Sequence, residues 1–397
     1  MRITFLLSQG LEDASSLGRH FPLAKELARL GHRVRVMAPH ADWAGLRERH
    51  FWREGVEVWY VGQMHVHKHG SRKTYFSQPK LLWVASTTML NMLALAASQP
   101  VDAIQLCKAQ PINGLAALGV RLLRRRPLFL DSDDYETEFG RYSSAWQKRV
   151  VSHFERILPR RARAVTTHTQ FNVERQIAYG VSPQKVLYVP NGIERSRFAG
   201  IREQDVQRLR AHLQIEGEKV VGYVGNLSLA NHPVDLLLEA FARVHARDRG
   251  VRLLLVGGGE DYDLLSAMAD DMGLADSVDF VGRVPPSQVP LYFRAADVSV
   301  EPVREDAVAR ARSPLKVVES LAAGTPVVAG DVGDRRDTLG EAGVAVAPGD
   351  PEALAEGLMH VLGDDPARER MAHAAEGVCE QYYWDVLVHR FEQVYSL

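Results

Sequence analysis

The sequence predicts an α/β protein of two doubly wound halves, each a parallel sheet with helices on both faces. Three observations carry that expectation. Short, nearly all-apolar runs alternate with amphipathic stretches along most of the 397 residues, the pattern of strand–helix–strand units. The runs lack the polar alternation of a half-wetted sheet, so their strands are expected to be covered on both sides. The length suits two domains with a core each, and the charge balance reverses once along it. Through Pro190 there are 27 basic and 15 acidic residues, then 21 and 34, within a net charge of −1.

In the first half, strands are read at residues 2–7, 32–39, 56–61, 102–106, 127–133 and 164–168, with 22–31 (PLAKELARLG) the first helix. The opening MRITFLL is too short for a signal-peptide core and reads as a buried strand. Leu81 to Pro100 is the longest uncharged stretch, but Ser86, Thr87, Thr88, Asn91, Ser98 and Gln99 interrupt it, so it falls short of a bilayer span and a core-facing helix is expected. The segment VPNGIERSRFAG, 189–200, carries turn and breaker residues where the charge changes sign, which puts the domain boundary between 1–190 and 191–380. The second half repeats the pattern, with strands at 220–226, 252–259, 278–282, 298–302 and 325–330 and helices at 234–246, 262–272 and 314–323. Beyond Pro348 the pattern turns helical, Asp350, Pro351 and Glu352 forming an N-cap, a first-turn proline and an acidic first turn. Composition is that of a globular protein, and Cys107 and Cys379 stand far apart without a metal-binding spacing, which fits a reducing compartment.

Two doubly wound halves are expected to face each other across a cleft at the carboxyl ends of their strands, the usual ligand position in such folds. The most informative window is RSPLKVVESLAAGTPVVA, 312–329. Ser313 is expected to cap a helix opening at Pro314, whose unpaired amides, with Arg312 and Lys316 beside them, suit a diphosphate. Glu319 follows Ser313 by six residues, about 9 Å along a helix, where a carboxylate can accept both hydroxyls of a ribose. An ordinary capped helix with an exposed Lys and Glu is the plain alternative. In the first half, Asp131, Asp133, Asp134 and Glu136 follow a buried strand and point to a cleft. Asp133 can orient or deprotonate an acceptor hydroxyl, against a plain loop that caps the next helix. Gly18, with Ser16 and Arg19, is read as a loop that lets backbone and charge approach phosphates, against a simple strand-to-helix turn. Lys108 is read as a solvated strand-end lysine, and His20, His32, His168 and His232 as paired histidines.

The sequence resembles the retaining nucleotide-sugar glycosyltransferases of family 4, which have the GT-B fold of two Rossmann-like domains facing across a cleft. The matching stretches are 313–329, 189–198, 220–227, 253–261, 278–302 and 23–39, in the family's order and spacing. The SPLK reading at 313–316 suggests a subgroup. The resemblance implies sugar transfer, with retention and without a metal, from a UDP- or GDP-sugar held by the second domain to a glycan, lipid-linked or small-molecule acceptor on the first. Cell-surface glycan, glycolipid or secondary-metabolite synthesis is the expected setting. By the same resemblance Glu319 holds the ribose and Pro314 and Leu315 present backbone to the phosphates. Gly225 and Asn226 follow the second domain's first strand, Arg283 and Val284 meet the nucleobase, and residues 381–397 return to the first domain. Four positions depart from the family: Ala311 replaces the first Glu of the E-x7-E pair, Asn226 and His232 replace an Arg and a Lys, and Asp133 stands where relatives carry a histidine. Arg304, Arg310, Arg312 and Lys316 are candidate replacement cations.

A non-catalytic nucleotide-binding or partner-interaction protein on the same fold is the second reading, motivated by those departures. A nicotinamide oxidoreductase rests only on Gly257-Gly258-Gly259, which lacks the GxGxxG spacing. The basic first half, with Arg124 to Arg126 and Arg160, Arg161 and Arg163, suggests a cytoplasmic protein touching an anionic membrane face; no nucleic acid is expected.

Overall fold

The computed structural model describes every residue except 14, 70, 71, 141, 143 and 231, and leaves out the side chains of 67–69, 72, 73 and 75. The chain divides into two compact units, Met1–Gly192 with Trp384–Leu397, and Ile193–Tyr383.

In unit 1 the strands are β1 (Arg2–Leu7), β2 (Arg33–His40), β3 (His50–Arg53), β4 (Val56–Gln63), β5 (Val66–His69), β6 (Arg72–Tyr75), β7 (Ala103–Cys107), β8 (Leu128–Asp131), β9 (Val165–Thr167) and β10 (Val186–Tyr188). Eight of them form one sheet in the order β10-β9-β8-β7-β1-β2-β4-β3, and β5 and β6 pair separately. All neighbours in the large sheet run parallel except β3 and β4. The apolar strands are buried on both faces, as their composition requires. One face packs under the helices Phe21–Arg29 and Trp384–Glu392, through Leu23, Leu27, Trp384, Leu387 and Phe391. At about 1.5–3 kcal/mol for each large apolar side chain, this packing is what holds the terminal helix on unit 1. The other face lies under the helices Gln78–Ser98, Pro111–Arg124 and Ala145–Arg161.

The helix expected near 81–100 runs from Gln78 to Ser98 and faces the core with only one stripe, Val84, Thr88, Met92 and Ala96. Leu82, Trp83 and Leu90 on the rest are more than half exposed. It is the one helix among the described residues long and apolar enough to cross a membrane. Its polar residues tie it to the sheet instead: Thr88 donates to the Gln63 carbonyl and Asn91 to that of Val61.

Unit 2 contains β11 (Lys219–Val224), β12 (Val251–Val256), β13 (Val278–Gly282), β14 (Val298–Glu301), β15 (Val327–Gly330) and β16 (Gly343–Val346), in the order β13-β12-β11-β14-β15-β16 and all parallel. The helices Val234–Arg247 and Pro351–Gly363 cover one face through Leu237, Phe241, Leu358 and Val361. Asp350 does cap its helix, accepting from the Glu352 and Ala353 amides. On the other face Val317 and Leu321 of the helix Leu315–Ala322 pack with Ala375 and Cys379 of Asp365–Cys379. Both parallel sheets thus end in a row of strand termini on which polar side chains gather.

Candidate functional site

In unit 2 the site is built where β11, β12, β13 and β14 end. The backbone past β11 and β12 is drawn together: the Gly225 amide donates to the Val256 carbonyl and that of Gly257 to Gly282. A Cβ on Gly257 would stand 1.8 Å from the Gly225 carbonyl oxygen, so this position needs glycine for close approach. The three glycines at 257–259 therefore serve a crossing of two loops. Gly225 in turn makes room for Lys316, whose Cε would lie 2.5 Å from a Cβ there.

Lys316 points back over β11. Its ammonium donates to Nδ1 of His232 at 3.1 Å and lies 3.4 Å from the Tyr223 hydroxyl, with the Tyr223 ring 5.0 Å away. Burial pulls Lys316 down to about 8, with Arg312 and Arg335 adding repulsion. Burial and the neighbouring Lys316 take His232 down to about 2, so the imidazole is neutral and its Nδ1 accepts. Tyr223 is buried, its phenol pushed far up, and its hydroxyl donates to the Asn226 carbonyl. His232 is thus a neutral acceptor that fixes a lysine from another element.

Ser313 does not cap the helix. Pro314 holds the N-cap position without a side-chain bond, and the Leu315 amide donates to the Ser313 carbonyl at 2.9 Å. The helix starts one residue later than expected, so among the described residues the first-turn amides without a backbone acceptor are those of Lys316 and Val317. Glu319 is half-buried and raised by burial; Arg197 opposes this, donating to Oε1 at 2.8 Å. Among the described residues its Oε2 accepts no hydrogen bond. Arg283 is exposed and lies against Gly258, its side chain 3.0 Å from the Cβ that residue lacks, with half-buried Val284 following. Asn226 is exposed, and buried Ala311 ends the short helix Ala307–Ala311. Two of the expected replacement cations are committed elsewhere: Arg304 bonds Asp235 and Arg310 bonds Glu305. Arg312 stays near enough to act on Lys316, His232 and Tyr223.

In unit 1 the strand ends β1, β7, β8 and β9 bring a second cluster together. Gly18 does not sit in an open loop: Ser16–His20 forms a π-helical turn running directly into the helix Phe21–Arg29. That turn places Arg19 inside the protein, where it forms a two-pronged bridge to Asp131 at 2.7 and 2.8 Å. Its third nitrogen reaches the Val189 and Pro190 carbonyls and Asn191 Oδ1. Arg19 is therefore a buried clamp and not a free cation for phosphate. Burial alone would raise Asp131; the guanidinium holds its carboxyl well below the usual range.

Lys108 is buried rather than solvated, in a left-handed backbone conformation with φ of 69°. Its ammonium bonds Asp134 and Glu136 and stands 3.3 Å from Asp133. Asp133 is itself buried and accepts from the Asp134 amide. Ligand atoms of Asp133, Asp134 and Glu136 lie within 4.8 Å of one another, but the Lys108 charge is already set against all three. Asp131, the first of that acidic run, faces Arg19 instead. Burial lifts Glu136 to about 7 against the pull of Lys108. Gln110 also donates to Glu136 at 2.6 Å. His32 pairs with Glu392, and His20 Nε2 lies 3.4 Å from Asp131 and 3.8 Å from Asp133. Among the described residues Ser16 Oγ, His20 Nδ1, Thr167 Oγ1 and His168 Nδ1 are buried without a hydrogen-bond partner. His168 is pulled to about 4 by burial and by Arg19, so it is neutral. Orphaned buried groups cost about 1–3 kcal/mol each unless something polar meets them. The sequence reading missed Arg197, Tyr223 and the role of Lys108; only the motif containing Arg197 offered a signal.

Two family models match the chain in tandem. Residues 21–192 match a glycosyl transferase 4-like domain, and residues 218–364 match the glycosyl transferases group 1 model. The chain belongs to the family 4 glycosyltransferases. Among its relatives, a D-inositol 3-phosphate glycosyltransferase of Acidothermus cellulolyticus is 31% identical over 229 residues, covering 55% of this chain and 49% of the relative. A phosphatidyl-myo-inositol mannosyltransferase of Mycobacterium leprae is 31% identical over 214 residues, 52% of each. The chain spans about half the length of the curated relatives it matches. Among solved structures, sucrose-phosphate synthase of Thermosynechococcus elongatus superposes with a TM-score of 0.77 at 19% identity, over 99% of this chain and 98% of that one. Anabaena Alr3699/HepE in complex with UDP gives 0.75 at 20% identity over the full length of both. These likenesses show the GT-B fold, which the two parallel-sheet units of this family member share.

Proposed function

We propose that the protein transfers a sugar from a nucleoside diphosphate donor to an acceptor hydroxyl, with retention at the anomeric carbon and without a metal. Unit 2 takes the donor. The observation that carries this reading is the arrangement on the helix Leu315–Ala322: two open first-turn amides and Lys316 at one end, and one turn on, Glu319 with Oε2 unengaged. The diphosphate goes to the amides and Lys316, the ribose to Glu319, and the base to the backbone at Arg283 and Val284, past Gly225 and Asn226. In the reaction the bond from the anomeric carbon to the diphosphate oxygen breaks and one to the acceptor oxygen forms. The acceptor proton leaves on the diphosphate or on a carboxylate. The departing diphosphate carries the developing charge, which Lys316 and the helix end oppose. Unit 1 takes the acceptor, with Asp133, held by Lys108, on that side. The polar atoms left unpartnered among the described residues, on Ser16, Thr167, His168 and Nδ1 of His20, support a hydroxyl-rich ligand there.

A UDP- or GDP-sugar is the donor in this reading, and the UDP held by the Anabaena structure favours the former. The relatives named for inositol phosphates and phosphatidyl-inositol support a glycolipid or phosphorylated polyol acceptor. The buried free thiols fit the cytoplasm. A second reading, nucleotide binding without turnover, is favoured by one observation: buried Ala311 leaves no carboxylate where the family's first glutamate stands. Melting curves against UDP-, GDP-, ADP- and dTDP-sugars, repeated with Glu319→Ala, test the donor site. A shift with one nucleotide family that vanishes in the variant supports it; sugar release or transfer with that donor then separates the two readings. No shift with any donor refutes both.

A further inference from the structure

At the edge of the unit 1 sheet opposite Asp133, where β8, β9 and β10 begin, lies a cleft of about 810 Å³ lined almost wholly by cations. Arg121, Arg125 and Arg126 come from the end of the helix Pro111–Arg124 and the turn after it, and Arg160 and Arg161 from the end of Ala145–Arg161. Arg163 precedes β9 and Lys185 precedes β10. Pro127, Leu128 and Ala162 complete the lining, with no carboxylate and no aromatic ring. Among the described residues none of the seven cations has a carboxylate within ion-pair distance. Two are aimed by backbone: Arg121 donates to the Arg161 carbonyl and Arg160 to that of Tyr179. Arg125 ends its helix with φ of 51°, a left-handed position ordinarily given to glycine. Beside it stand Leu122 and Leu123, 79% and 65% exposed.

Gathered like charges repel one another and favour an anionic partner; the carboxylate that Arg126 acts on, Asp102, is already bridged to Arg2. Bare leucines at the rim of such a patch add an apolar contact. We propose that this cleft docks the protein on an anionic lipid surface, the guanidinium groups meeting phosphate headgroups while Leu122 and Leu123 enter the interface. A nucleic acid would find no ring for its bases to stack on, and a second copy of the same face would set seven cations against seven. The docking is peripheral and reversible, because two leucines and surface charge fall well short of a spanning anchor. It places the basic half of the chain at a membrane, which the composition of that half foreshadows. It does not depend on the donor site, because the cleft lies wholly in unit 1.

The test is flotation of the full chain, without donor, on vesicles of phosphatidylcholine alone or mixed with phosphatidylglycerol, at salt of ~0.05 M and ~0.5 M. The protein is expected on the mixed vesicles at low salt only. Arg125→Gly with Arg126→Ser keeps the left-handed turn and is expected to lower partitioning about 25-fold, at roughly fivefold per juxtamembrane cation. Leu122→Ser with Leu123→Ser weakens retention at unchanged melting temperature. Trp83→Ser, toward the far end of the exposed helix Gln78–Ser98, leaves retention as it was. Three results overturn the proposal: no retention on mixed vesicles, equal retention of the arginine variant, or loss with Trp83→Ser alone. Stabilisation by inorganic phosphate while vesicles are ignored assigns the cleft to a free phosphate and overturns it too. Retention without any sugar transfer leaves the docking site standing and counts only against the catalytic reading.

Discussion

Replacing Lys316 by methionine is expected to stabilise the unliganded protein while abolishing its response to nucleotide sugars. Lys316 titrates at about 8 in the folded chain against 10.5 for an ordinary lysine, chiefly because it is buried. Its folded value lies below its unfolded one, so the unfolded chain holds more protons between those values and stability rises with pH across that window. Below pH 8 the buried charge therefore costs on the order of 3 kcal/mol, at 1.36 kcal/mol per unit. Methionine keeps most of the stem over Gly225 and Tyr223 and removes that cost, less the bond to His232. For a unit of this size a gain of 1–2 kcal/mol raises the melting temperature by roughly 2–8 °C. A donor diphosphate offsets the same cost by pairing with the ammonium, so wild-type affinity should fall as pH rises through about 8. In Lys316→Met that pH dependence disappears, and turnover drops by about 10²–10³-fold, the usual loss of one preorganised donor to a leaving oxyanion. Scanning calorimetry with and without donor, across pH 6.5 to 9.5, reads stability and binding, and a transfer assay with that donor reads turnover. An unchanged donor shift in Lys316→Met refutes the placement of the diphosphate. A large fall in unliganded stability refutes the claim that the buried charge is a net cost.

Glu319→Ala removes the acceptor proposed for the ribose and is expected to weaken nucleotide binding by about 10–100-fold, the worth of hydrogen bonds to a charged group, measured by calorimetric titration. Asp131→Asn leaves the buried Arg19 guanidinium without its counter-charge and should cost about 3–5 kcal/mol in denaturant unfolding, whereas Arg19→Met with Asp131→Leu costs much less. Glu136 has its folded value raised above its unfolded one, from 4.5 to about 7, so the folded chain holds the extra proton and stability falls as pH rises through that window. Glu136→Gln should flatten that slope in unfolding titrations. Gly257→Ala forces the loops after β11 and β12 apart and should lower both stability and nucleotide binding, read by melting curves with and without donor.

Much of the fold was legible because the central strands of both sheets are parallel and buried on both faces, so runs such as RLLLV and RITFLL announce themselves without knowledge of their partners. The strands that escaped are those at edges. In β3, HFWR pairs antiparallel at the margin of its sheet and stays mostly exposed, and three-residue β10 is only half-buried at the other margin. Such strands need no apolar run, so composition carries no trace of them.

The site divides along a similar line. Lys316 and Glu319 were legible because one helix sets their spacing, and helical spacing is written in sequence separation alone. Arg19 and Asp131, 112 residues apart, and Arg197 and Glu319, 122 apart, meet only once the sheets have formed. Read singly, Arg19 looked like a cation open to phosphate and Lys108 like a solvated one; each is buried against carboxylates brought from another strand end. The same reasoning explains why the departures from the family pattern could not be weighed from the sequence. His232 looks like a lost cation until Lys316 is found donating to it. The charge missing from the loop after β11 then reappears on the helix that faces it, and the neutral imidazole becomes the group that aims it. No comparable substitute appears at buried Ala311 among the described residues, so that position, more than His232 or Asn226, is the one that favours the proposed alternative of nucleotide binding without turnover.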